Sequence, residues 1–282
     1  MPRYAYVNGR YVPFAGAAVH VEDRGLQLAD GIYEVVSVSD GMPLDRDAHL
    51  DRLDRSLGEL DITPPMSRSA LEVVIGEIIR RERVRYGMVY IQVTRGVARR
   101  DHAFPVPERR PGLIVMARAI RPERQAAKAA RGITVISVPE TRWSRVDIKT
   151  TALTGNVLAR QAAIEAGADE AWFVDGRGVV TEGASSNAWI VSPGGALITH
   201  PTDGRILGGI TREIAIQLAE SEGLRVEDQP FTIAEAQSAS EAFITSAGNG
   251  IMPVVDIDHS TIGDGTPGPL VTMLRKRFDG RS

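Results

Sequence analysis

Two dipeptides, Asn8-Gly9 and Asp40-Gly41, each stand between short β-prone runs, in "YVNGRYV" and "YEVVSVSDGMPL". The tight turns that join antiparallel strands need left-handed backbone, which Asn-Gly and Asp-Gly adopt at low cost. The start of the chain is therefore committed to hairpins. The apolar period then changes. Leu50, Leu53, Leu57 and Leu60 recur at helical spacing, and Leu71, Val74, Ile75, Ile78 and Ile79 share one face of a second helix. "MVYIQVTRG" and "GLIVMARAI" return to strands. Strands and helices mixed without strict βαβ alternation predict an α+β fold.

The stretch "RPERQAAKAARG" breaks this rhythm and reads as a linker between two halves. Beyond it, "ITVISV" is a strand, "GNVLARQAAIEAG" a helix closed by Gly167, and "EAWFVDGRGVVTEG" a hairpin around Asp175-Gly176. "NAWIVS" and "ALITH" add strands, "ITREIAIQLAESEG" a helix, "TIAE" at 232–235 a capping box, and "PLVTMLRKRF" a last helix. At 282 residues the chain can form one large or two modest domains.

A net charge of −3 supplies no broad basic field, which argues against a nucleic-acid partner. Cysteine is absent, so disulfides, thiolate metal sites and cysteine nucleophiles are excluded. The first residues have no apolar leader and no segment reaches membrane-span length, so a cytoplasmic protein is expected. The five histidines, at 20, 49, 102, 200 and 259, have no ligand spacing, and no protein-built metal site is expected. Phosphate-loop, dinucleotide and G-x-S-x-G signatures are missing.

Of 33 basic residues only Lys128, Lys149 and Lys276 are lysines. Arginine holds a permanent charge but cannot give up its proton. A lysine kept in so arginine-biased a chain points to work for an amine. Lys149 closes "RWSRVDIK", which reads as a polar strand, and is followed by small and hydroxyl residues. The reaction that needs such an amine is Schiff-base formation, with a substrate carbonyl or with pyridoxal phosphate (PLP). PLP also needs a carboxylate beside its pyridine nitrogen and a phosphate cup of amides and hydroxyls. "VVTEGASSN" places Glu182 just after a strand, with small residues following. "LGGITRE" opens a helix, where the amides of Ile210 and Thr211 and the Thr211 hydroxyl can face a phosphate. "TSAGNG" at 245–250 is a second amide-rich turn. Each piece alone has an ordinary structural explanation; together they form a constellation.

In the order and spacing of "EDRGLQLADGIYEVV", "HLDRL", "QVTRG", "RWSRVDIK", "TEGASSN", "LGGITRE" and "FITSAGNGIMPV", the chain resembles the fold-type IV PLP enzymes. These include D-amino acid aminotransferases, branched-chain aminotransferases and aminodeoxychorismate lyases. The resemblance implies a two-domain α+β fold, with a smaller domain over 1–120, a larger one over 121–282, and the PLP site at their interface. It implies that Lys149 forms the Schiff base and moves the α-proton, and that Glu182 meets the pyridine nitrogen. Arg52, Ile210, Thr211, Ser246 and Ala247 would surround the phosphate, Leu207 would pack on the ring, and Ser185 would lie near it. The match to "RGVARRDHAFP" and to "DGIYE" implies that Tyr33, Arg100 and His102 clamp a substrate α-carboxylate, closest to the D-amino acid aminotransferases. It further implies a homodimer whose Arg100/His102 loop reaches the neighbouring site. Ala247 departs from relatives that carry threonine there, and so removes one hydroxyl from the cup.

The expected activity is amino transfer between D-amino acids and 2-oxo acids. The nearest alternative is an (R)-selective amine transaminase, followed by a branched-chain aminotransferase and an aminodeoxychorismate lyase. A non-catalytic PLP carrier would not need the Lys149–Glu182–Arg52 set, and a cofactor-free Schiff-base lyase would not need the phosphate cup.

Overall fold

The computed structural model describes residues 3–281. Its contacts divide the chain into two compact units, one running up to Arg121 and including Ile148–Ala152, the other comprising Pro122–Asp147 and the chain from Leu153 onward.

The first unit contains β1 (Tyr4–Val7), β2 (Arg10–Pro13), α1 (Arg24–Leu28), β3 (Gly31–Ser39), β4 (Met42–Pro43), α2 (Arg46–Glu59), α3 (Arg68–Glu82), β5 (Gly87–Thr94) and β6 (Gly112–Ala119). The strands form one sheet in the order β2-β1-β6-β5-β3-β4. Asn8-Gly9 and Asp40-Gly41 have positive φ and turn β1 into β2 and β3 into β4 as the sequence predicts. Both helices bury the expected face: Leu50, Leu53 and Leu57 of α2 and Leu71, Val74, Ile75, Ile78 and Ile79 of α3 join Ile32, Val36, Val89, Ile91 and Val115 in one core. Along β3, Ile32, Glu34, Val36 and Val38 face this core, and Tyr33, Val35 and Ser37 face the other way.

The second unit contains α4 (Pro122–Arg131), β7 (Ile133–Pro139), α5 (Thr154–Glu165), β8 (Glu170–Val174), β9 (Val179–Gly183), β10 (Asn187–Val191), β11 (Leu197–Thr199), α6 (Ile210–Ser221), β12 (Val226–Asp228), β13 (Phe231–Thr232), α7 (Ile233–Gln237), β14 (Glu241–Ser246), β15 (Gly250–Ile257), β16 (Ser260–Thr261) and α8 (Pro269–Asp279). Its sheet runs β12-β11-β10-β14-β15-β7-β8-β9-β13, with β16 on β15, and mixes parallel and antiparallel pairs. The Thr232–Glu235 capping box forms as read. No described helix is long and apolar enough to cross a membrane.

Two local readings need correction. The 121–132 stretch is not a linker but helix α4. Proline suits its first turn, alanine favours its interior, and Gly132 closes it at φ +74°. Only Ala129 is buried, and the helix's apolar side is built from alanines rather than large side chains. "RWSRVDIK" is not a strand but a run of turns. Local ion pairs, Arg142 with Glu140 and Arg145 with Asp147, hold it instead of a ladder.

Candidate active site

In the first unit the segment bearing Lys149 is tied antiparallel to β3. The Tyr33 amide donates to the Lys149 carbonyl at 2.9 Å, the Thr151 amide donates to the Gly31 carbonyl at 3.0 Å, and Thr150 bridges Ile32. Ile148, 3% exposed, anchors the segment in the core. These ties set the half-buried Lys149 Nζ 4.3 Å from the centroid of the Tyr33 ring. Tyr33 in turn stacks on Tyr90 at 5.7 Å. The amine thus has an aromatic surface beneath it and is held by backbone on both sides.

On the opposite face of β3, Glu34 is completely buried. Arg52, on α2, donates from Nε to Glu34 Oε2 at 2.9 Å and from Nη2 to Oε1 at 2.7 Å. His49 Nδ1 lies 3.1 Å from Oε1. A carboxylate only accepts, so Nδ1 carries the hydrogen. Burial pushes the Glu34 carboxyl up, but the Arg52 charge, the bonds from His49 and Arg52, and the Lys149 charge outweigh it and hold the group below the usual carboxylate range. The structure therefore gives Arg52, assigned above to a phosphate, a buried carboxylate partner that the sequence reading had not supplied.

Arg100 and His102 lie in the exposed loop after β5. No hydrogen bond, ion pair or ring contact among the described residues joins either to Tyr33 or Lys149. The loop backbone itself is fastened. Arg24, buried, donates from Nη1 to the carbonyls of Asp101 at 2.6 Å and Ala103 at 3.2 Å, and the Arg95 guanidinium lies 3.6 Å from the Phe104 ring centroid. Arg24 and Arg95 both pair with Asp30, at 2.7 and 2.8 Å.

In the second unit Glu182 stands within β9 rather than after it, and is 5% exposed. It accepts from Arg142 Nη1, from Asn187 Nδ2 at 3.1 Å and from the Leu207 amide at 3.1 Å. Asn187 Nδ2 also reaches the Leu207 carbonyl at 2.9 Å, so Leu207, Asn187 and Glu182 form one bonded group. A side chain at Gly209 would run into Asn187 Oδ1, which explains the glycine. Arg142 spans two carboxylates: its Nε and Nη2 also donate to Glu140 at 2.9 and 2.6 Å. Its guanidinium lies 4.2 Å from the Phe173 centroid. Burial pushes the Glu140 carboxyl up, but the Arg142 bonds prevail and lower it.

Thr211 and Ile210 begin α6, and Gly209, its N-cap, offers no side-chain oxygen to the first amides. Those amides have no helical partner, and the helix dipole favours an anion there. Ser246 ends β14, and its Oγ accepts from the Asn249 amide at 3.3 Å and Nδ2 at 3.2 Å, leaving its own hydrogen to donate. Ala247, half-buried, follows it in the turn. Ser185 is exposed, yet its hydroxyl donates to buried Glu170 at 2.9 Å, and Ser186 adds a bond at 3.3 Å.

Sequence reading missed Arg142, Asn187, Glu170 and Glu34. Arg142 stands in a stretch already singled out. Glu34 also left a signal, because it falls in register with Ile32, Val36 and Val38 on the apolar face of a strand.

Residues 31–257 match the family model described as amino-transferase class IV. The chain is 37% identical over 275 residues to the D-alanine aminotransferase of Staphylococcus haemolyticus, covering 97% of this chain and 96% of that protein. It is 38% identical over 265 residues to the D-alanine aminotransferase of Bacillus licheniformis, covering 93% and 91%. Among solved structures, the T.th. branched-chain amino acid aminotransferase with pyridoxamine 5'-phosphate superposes at TM-score 0.90 and 26% identity, covering 100% of this chain and 96% of that one. The branched-chain enzyme of Escherichia coli, at 23% identity and TM-score 0.90, covering 100% and 94%, shares the fold. An amine seated on an aromatic ring, a buried carboxylate locked by three donors and an uncapped helix start thus occur in a chain that belongs to the class IV aminotransferase family.

Proposed function

We propose that this protein uses PLP to move amino groups between D-amino acids and 2-oxo acids such as 2-oxoglutarate or pyruvate. The observation that carries the chemistry is Lys149, held by backbone bonds on β3 with its amine over Tyr33. The preference for D-amino acids is supported by the full-length similarity to D-alanine aminotransferases.

The donor set suits the cofactor. Lys149 is the amine that binds it and then carries the proton to and from the substrate α-carbon. Glu182, kept in place by Arg142, Asn187 and Leu207, is the carboxylate for the pyridine nitrogen. When bound, PLP supplies an electron sink for the substrate α-carbon. Ile210, Thr211, Ser246 and Ala247 offer amides and hydroxyls to the phosphate, and Arg52 adds charge. Leu207 and Ser185 flank the ring.

Tyr33, Arg100 and His102 bind the substrate carboxylate. Arg100 and His102 are exposed, while buried Arg24 fastens the backbone of their loop and buried Arg95 holds the Phe104 ring. That combination suits a loop presented to the neighbouring subunit's site in a homodimer. A chain without cysteine is also suited to the cytoplasm, where we place the enzyme.

The experiment is direct. The purified protein should be yellow, and D-alanine should bleach the colour while L-alanine does not. Lys149→Arg should remove both colour and turnover, since arginine keeps the charge but has no usable amine. A Lys149→Arg enzyme of wild-type rate, or bleaching by both enantiomers alike, overturns the proposal.

A further inference from the structure

The turn between β14 and β15 has two sides. Ser246 and Ala247 are read above as part of the phosphate cup. The carbonyls that follow are held by side chains from outside the hairpin. Arg275, on α8, donates from Nη1 to the Asn249 carbonyl at 3.1 Å and to the Ile251 carbonyl at 2.6 Å. Gln125, on α4, donates from Nε2 to the Gly248 carbonyl at 3.0 Å. The residue between the two carbonyls that Arg275 holds is Gly250, at φ +61°. The Phe278 ring packs against it closely enough to meet any added Cβ at 2.9 Å. Helix α8 is itself anchored by Val271 and Leu274, both fully buried, so Arg275 projects from a rigid element.

Within this three-residue hairpin turn the side-chain bonds are those from Asn249 to Ser246 Oγ, which leave its carbonyls to outside donors. Its exact path is set by what grips its free carbonyls. We propose that Arg275 is a positioning residue for the phosphate, acting through the carbonyls of Asn249 and Ile251 to fix how Ser246 and Ala247 are presented. The proposal rests on the reading that this turn meets the phosphate. The guanidinium is also paired through Nε with Asp279 at 3.4 Å, so its hold on the turn comes from the Nη1 bonds rather than from a free charge. One nitrogen, Nη1, makes both bonds. An ammonium group with three donors can therefore replace it, and a methyl group cannot.

The test compares PLP with pyridoxal, which has the same ring and aldehyde but no phosphate. Both are titrated into full-length protein stripped of cofactor, and the ³¹P resonance of bound PLP is recorded. Arg275→Ala should weaken PLP about tenfold, the scale of a lost charged hydrogen bond, and leave pyridoxal affinity unchanged. The ³¹P line should broaden. Arg275→Lys should restore most of the loss, and Gln125→Ala, which frees the Gly248 carbonyl from the other side, should give a smaller selective loss. Equal weakening of PLP and pyridoxal by Arg275→Ala would mean general damage and would overturn the proposal. Ser246→Ala separates the two levels. If it weakens PLP selectively while Arg275→Ala does not, Arg275 only anchors α8 and the inference fails. If neither variant tells PLP from pyridoxal, the turn does not meet the phosphate and the parent reading falls with it.

Discussion

Glu34 and Glu182 make an instructive pair. Both are strand residues, both are buried, and each is gripped by an arginine. Their surroundings differ in balance. Glu34 faces one guanidinium, Arg52, which takes both its oxygens, with His49 as an added donor. Glu182 shares its guanidinium with a second carboxylate, Glu140, so the formal charge of Glu140, Arg142 and Glu182 sums to −1. Around Glu34 positive charge prevails, since Lys149 adds its charge to that of Arg52. In the Glu140–Arg142–Glu182 trio a negative charge is left in surplus. On the proposed function, that surplus would pair with a protonated pyridine.

The most forceful way to break this contrast is to neutralise the surplus. Glu182→Gln should leave PLP bound but lower turnover by about 10²–10³-fold, as when a fixed electrostatic partner of the reacting group is lost. Stopped-flow rates of α-proton removal equal to wild type would reduce Glu182 to an ordinary buried acid.

Glu34→Gln should act on stability. It removes the carboxylate that takes two bonds from Arg52, whose side chain is 10% exposed, which costs about 3 kcal/mol, the low end for breaking a buried pair. Denaturant unfolding measures this, and a change within the error of the fit would show that the match between Glu34 and Arg52 is not what holds the pair. The pH sign follows. The Glu34 carboxyl is lowered in the folded protein, so its contribution is complete above the unfolded value of about 4.3 and fades as pH falls below it. The gap between wild type and Glu34→Gln should therefore be full at neutral pH and narrow only on acidification.

The smallest effect concerns an arginine that is neither buried nor paired. Arg100 is exposed and has no hydrogen bond or ion pair among the described residues, and the proposed function assigns its charge to a substrate carboxylate. Arg100→Ala should raise KM for D-alanine about thirtyfold, the lower bound for losing one partner of a charged pair. The half-reaction with (R)-1-phenylethylamine, which lacks a carboxylate, should change little. Equal loss for both donors would place the carboxylate contact elsewhere and bring the amine transaminase reading forward.

Much of the architecture was legible because it is local. Asn8-Gly9 and Asp40-Gly41 announce their turns through the backbone they prefer, and the buried faces of α2 and α3 repeat every three to four residues. Where the local signal is silent, reading failed. Helix α4 has no apolar side chain larger than alanine apart from its opening proline and buries only Ala129, so its period was easily overlooked, although its proline, alanines and closing glycine were in view. "RWSRVDIK" alternates like an exposed strand, but its polar side chains bond to one another rather than lining a face.

For this chain, the one-dimensional pattern was enough to determine the hairpins, the helix faces and the glycine-led helix start at 207–213, and to single out Lys149 and Glu182 as candidates. Those follow from what each residue type can do and from repeats within one element. Only the tertiary structure decided which charge meets which: Arg52 with Glu34 across 18 residues, and Arg142 with Glu182 across 40. Helical and strand periods relate neighbours a few residues apart. A pairing between separate elements depends on how those elements pack, and sequence spacing carries no record of it.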